Sequence, residues 1–125
     1  MDNDTRKPQQ VLIDDMDRER MEQDGAALKT ARCKKVYIAG KIIGDPCYRE
    51  KFEGMQQLME EKGFVVISPA VLPEGMARED YMRICLAMID SADAVLFMPD
   101  HVDSRGAMIE LAYCQYTDKP YQILD

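Results

Sequence analysis

Val36-Tyr37-Ile38-Ala39-Gly40 is the stretch that decides the fold. Four consecutive apolar residues, β-branched and aromatic among them, run without polar alternation into a glycine. Such a run reads as a strand buried on both faces, which is the situation of a parallel sheet covered by helices. The same alternation of elements continues downstream. Lys41 to Tyr48 holds Gly44 and Pro46 and reads as a loop. Arg49 to Lys62 places Phe52, Met55, Leu58 and Met59 on one helical face, with Gly63 as its stop. Phe64 to Ile67 is a second strand, and Ala70 to Arg78 a loop with Pro73 and Gly75. Glu79 to Ser91 is a second helix, Ala94 to Met98 a third strand, Arg105 to Tyr116 a third helix and Pro120 to Leu124 a last strand. The expected architecture is α/β: a three-layer α/β/α sandwich on a flavodoxin-like or Rossmann-like parallel sheet, with four or five strands and the first strand central.

Upstream, residues 1–10 read as a polar tail. Residues 11–33 read as a weakly amphipathic helix, interrupted at Gly25 and appended to the domain or to a neighbouring subunit, or else as a disordered leader. The folded unit is expected over residues 34–125, one domain in a chain of 125 residues.

The net charge of −7 argues against a nucleic-acid polymer as partner, because such affinity rests on clustered Lys and Arg. The four cysteines form no C-x-x-C pair, and one histidine is too few for a Cys/His zinc cluster. A charged N-terminus and the lack of a long apolar run lead us to expect neither a signal peptide nor a membrane span. The expectation is a cytoplasmic protein whose reduced thiols serve mainly as packing.

In open parallel sheets ligands bind beyond the carboxyl ends of the strands, here around Gly40, Ser68-Pro69 and Met98-Pro99. The loop after Gly40 is neither a dinucleotide fingerprint nor a Walker loop. The first strand lacks the terminal acids of a receiver domain, and no Cys has an Arg six residues later. Glu110 is the most informative residue. It is the only charged side chain between Gly106 and Thr117, and a carboxylate on an apolar helix is costly unless it is paired or faces a cavity. Ser104-Arg105-Gly106 opens that helix with free amides suited to an anion, although ordinary capping by Ser104 is the commoner use. Tyr37 lies at the end of the first strand, where a hydroxyl can orient a carboxylate or simply pack in the core.

Tyr37-Ile38-Ala39-Gly40, Asp93-Ala94-Val95 and Ser104-Arg105-Gly106-Ala107-x-x-Glu110-Leu111 together resemble the nucleoside 2-deoxyribosyltransferase superfamily, over roughly Lys34 to Leu124. Within it the chain looks closest to a small uncharacterised branch, similar to deoxynucleoside 5′-monophosphate N-glycosidases. The resemblance implies cleavage of an N-glycosidic bond through a glycosyl-enzyme. It assigns the nucleophile to Glu110 and the orienting tyrosine to Tyr37. Ser104, where the transferases typically carry Asp, implies a 5′-monophosphate, and Lys41 stands where phosphate-using relatives carry Ser. The family's general acid, eight residues before Asp93, falls on Cys85, a poor proton donor. Ligand contacts are therefore expected from Gly40, Lys41, Ser104, Arg105 and Gly106. The partner is a nucleoside or nucleoside 5′-monophosphate, and neither metal nor organic cofactor is required. A non-catalytic nucleotide-binding or sensing module is the alternative; a plain interaction domain would make Glu110 structural. Ten methionines and the apolar helix imply a homodimer or higher homo-oligomer, as the resemblance also does.

Overall fold

A computed structural model describes residues 33–125; the tail and appended helix expected over residues 1–32 lie outside the described residues. Four strands alternate with three helices: β1 (Lys35–Ala39), α1 (Tyr48–Glu61), β2 (Val65–Ile67), α2 (Arg78–Ser91), β3 (Ala94–Phe97), α3 (Arg105–Thr117) and β4 (Tyr121–Ile123). All pairings are parallel and the sheet order is β2-β1-β3-β4, so β1 is central. This is the flavodoxin-like order through its fourth strand, and the order reverses between β1 and β3.

The pleat of β1 explains the apolar run. Val36 faces Met59 and Phe64 beneath α1, and Ile38 packs with Phe52 and Met98 on the same side. Tyr37 and Ala39 face the other layer, with Cys85 and Ile89 of α2 and Leu111 and Cys114 of α3. β3 repeats the pattern, Ala94 and Leu96 toward α1, Val95 and Phe97 toward α2 and α3. Both faces are thus covered, and no residue from Val36 to Ala39 retains solvent contact. Cys33 also packs into the α1 side of the core.

Helix limits agree with the sequence to within a residue. Gly63, at φ 98°, turns the chain out of α1 where no side chain is comfortable. Two segments expected as loops are instead short 3-10 turns, Pro69–Val71 and Pro99–Asp103. In each, proline begins the turn, where its missing N–H costs nothing. Asp93 clasps the start of β1 by accepting the amides of Lys34 and Lys35, each at 2.9 Å. Burial opposes its ionisation, yet these amides outweigh it and hold the carboxyl below its usual range. Among the described residues no helix is long and apolar enough to cross a membrane.

Candidate active site

The carboxyl end of β1, the segment after β2 and the start of α3 enclose a cavity of about 890 Å³, within the range of small-molecule sites. Its deepest charged group is Glu110. α3 carries the residue on the face turned to the sheet, one turn past Ala107 and beside Leu111, and its exposure is 6%. Tyr37 reaches up from β1 and donates its phenolic proton to Glu110 Oε2 at 3.0 Å. Cys85, from α2, packs beside Tyr37 and lines the cavity with Glu110, near enough for its thiol to bear on the ionisation of both. Three elements far apart in sequence therefore meet at one carboxyl group.

The electrostatics follow from that enclosure. Burial pushes Glu110 up to about 7, against the Tyr37 hydrogen bond and the neighbouring Cys85 thiol, which pull it down. Burial, then the neighbouring Glu110 charge and Cys85, drives the Tyr37 phenol well above its ordinary value. Cys85 is raised to about 11, chiefly by burial, so its thiol keeps its proton at neutral pH. The arrangement can present an ionised or a protonated carboxyl near neutrality, and it holds two neighbouring protons tightly.

The start of α3 forms one side of the cavity. Ser104 caps the helix, its hydroxyl accepting the Ala107 amide at 3.1 Å. The hydroxyl proton stays available to a ligand, and the amides of Arg105 and Gly106 have no intrahelical partner. A Cβ at Gly106 would meet nothing closer than the Met82 methyl at 3.7 Å. Gly40 also lines the cavity, but its smallness serves the protein. A Cβ there would lie 2.7 Å from the Met98 methyl and 3.1 Å from an Asp100 oxygen.

Of the residues expected from sequence, Tyr37, Gly40, Cys85, Ser104, Arg105, Gly106 and Glu110 converge on this cavity. Lys41 does not line it. Its amide donates to Asp100 at 3.1 Å, its carbonyl accepts Lys51 Nζ at 2.8 Å, and its charge bears on Asp45. The Lys51 ammonium, paired with Asp45 and Asp100, pins the loop after β1 to the turn before α3. The outer wall was not foreseen. Tyr48 at the start of α1 donates to Glu74 at 3.0 Å, and Arg49 pairs with the same carboxylate at 3.4 Å. Tyr81 is hydrogen-bonded to the Met76 amide and the Pro73 carbonyl, which fixes the bend of the loop before α2. Pro73 and Gly75 signalled a loop but not the direction in which it folds.

The sequence from 34 to 122 matches the family model described as Domain of unknown function (DUF4406). Comparison with curated proteins gives no match. Among solved structures, the 2-desoxiribosyltransferase from Leishmania mexicana superposes with a TM-score of 0.60 at 21% identity, over 73% of this chain and 63% of that one. The chain thus spans under two thirds of that enzyme's length. The 2-deoxyribosyltransferase from the psychrotolerant bacterium Bacillus psychrosaccharolyticus superposes with a TM-score of 0.57 at 22% identity, over 71% of this chain and 70% of that one. The α/β architecture built around β1 is therefore shared with deoxyribosyltransferases, and the chain itself belongs to the family described as Domain of unknown function (DUF4406).

Proposed function

We propose that the chain cleaves the N-glycosidic bond of a nucleoside or nucleoside 5′-monophosphate, as a hydrolase or a deoxyribosyltransferase-like enzyme, with Glu110 as nucleophile. The observation that carries this reading is the buried Glu110 carboxylate held by Tyr37 at the base of a ligand-sized cavity. Glu110 attacks the anomeric carbon as the bond to the base breaks, and water or a second base then displaces it. Tyr37 fixes the carboxylate's direction and shares its charge. Ser104 and the amides of Arg105 and Gly106 receive the phosphate or sugar oxygens, with the Arg105 guanidinium as the adjacent cation. Gly40 lets the loop after β1 pack closely against Met98 and Asp100 at the cavity's edge. The protein is proposed to work in the cytoplasm as a homodimer or higher homo-oligomer; the exposed Met108, Ile109 and Tyr116 of α3 support such an interface.

The test is release of free base from a panel of nucleosides and 5′-monophosphates, followed by chromatography. Glu110→Gln is expected to reduce it by at least 1,000-fold, while a bound monophosphate is retained, because the amide keeps the shape and loses the nucleophile. A Glu110→Gln protein with full turnover overturns the assignment.

One observation favours the second reading, a nucleotide-binding or sensing module: Cys85 sits beside Glu110 with its proton firmly held, and so serves poorly as a general acid. Wild-type protein that binds monophosphates and releases no base from any substrate establishes that reading instead.

A further inference from the structure

Resting on the reading of Glu110 as nucleophile, we propose that the substrate this site is built for is an N-glycoside whose leaving ring is already cationic, a pyridinium riboside or its 5′-phosphate. The proton-bearing side chains beside the Glu110 carboxyl are Tyr37, hydrogen-bonded to it, and Cys85, which lines the cavity next to Tyr37: a phenol and a thiol. Both are weak acids at neutral pH, and burial weakens them further. The other carboxylates on the cavity wall, Glu74, Glu79 and Asp103, are exposed at its rim, and Glu74 is taken up by Tyr48 and Arg49. A neutral base leaves as an anion unless an acid within hydrogen-bond reach protonates another heteroatom of its ring system. A pyridinium ring needs none. The C1–N bond breaks with its electron pair moving to the ring nitrogen, and the ring departs as a neutral pyridine. Glu110 then forms the C1–O bond of the glycosyl ester. Water cleaves that ester, leaving a hydroxyl on C1 and returning one proton to solvent. No oxidant, metal or further co-reactant enters the balance.

The wall's charge agrees with a cationic ring. With Glu74 paired, Glu79 and Asp103 balance Arg78 and Arg105, so the net charge of the wall is that of the ionised, nucleophilic Glu110. Tyr48 and Tyr81 also line the cavity, and aromatic side chains are favourable neighbours for a cation.

The experiment compares wild-type protein on nicotinamide mononucleotide and nicotinamide riboside with the same protein on neutral-base nucleosides and 5′-monophosphates, quantifying the released ring. Nicotinamide release at least 100-fold faster than release of any neutral base, and lost in Glu110→Gln, is the expected result. Neutral bases released as fast as nicotinamide overturn this inference and leave the general reading of Glu110 standing. No release from either class overturns both. Cys85→Asp supplies the absent acid and is expected to raise neutral-base release by about 100-fold or more, the usual worth of a general acid, with a smaller effect on nicotinamide release. A folded Cys85→Asp protein with an unchanged ratio of the two rates also overturns the inference. Should that variant fail to fold, the wild-type ratio decides.

Discussion

At the scale of a single residue, Glu110 trades stability for reactivity. Its carboxyl is raised from 4.5 to about 7 by burial, so the folded protein holds a proton that the unfolded chain releases. Stability from this group is complete below about pH 4.5 and is lost as the pH rises through about 7. The displacement corresponds to about 3 kcal/mol at its limit. Glu110→Gln removes the ionisable group and keeps an oxygen for Tyr37 to donate to. The variant is therefore expected to be more stable than the parent by up to about 3 kcal/mol at pH 8, and nearly equal to it at pH 4.5. Urea unfolding at the two pH values checks this, and equal stability at pH 8 would contradict the burial argument. Activity runs the opposite way. A nucleophilic carboxylate must be ionised, so kcat/KM is expected to rise through a limb near pH 7. With no acid partner to deprotonate, the profile should level off at higher pH rather than fall.

Elements were legible where one physical cause dominated. β1 was recognised because burial on both faces leaves a continuous apolar run, and α3 because Glu110 interrupts an apolar helix. The two 3-10 turns escaped notice because proline marks a break in a longer element without specifying what replaces it. The position of Lys41 outside the cavity lining has a similar origin. A loop's local sequence does not determine which way its side chains point, and the acids that organise this loop, Asp45 and Asp100, are joined through Lys51 from α1. The contact of Cys85 with Glu110 joins α2 to α3, a relation no local pattern encodes. Asp93, one of the residues carrying the family resemblance, acts at this scale. By accepting two amides at the start of β1 it ties the central strand to the beginning of β3. Asp93→Ala leaves both amides without that partner and is expected to cost about 1–3 kcal/mol in chemical denaturation, with Asp93→Asn recovering part of the loss.

Across the whole molecule, apolar surface remains after the sheet is covered. Met108 and Ile109 are 42% and 53% exposed, and Tyr116, two turns on, is 90% exposed. These side chains share one flank of α3, and Ile109 also belongs to the cavity wall. A face of this kind supports association of like chains. Sedimentation at micromolar concentration is expected to show a dimer or larger species, and Ile109→Lys to shift the distribution toward monomer. A wild-type monomer under those conditions removes the proposal.

The burial of three of the four cysteines has a practical consequence. Cys33 and Cys114 are pushed up to about 12 and Cys85 to about 11, mainly by burial, so scarcely any of their thiolate exists at pH 7. Cys47 alone is exposed, and it immediately precedes Tyr48 of the cavity wall. A maleimide fluorophore is therefore expected to attach once per chain, at Cys47, with peptide mass mapping as the check. The unmodified protein thus carries a built-in attachment point for a reporter at the cavity's mouth, and ligand entry becomes readable as a change in emission without altering any residue of the interior.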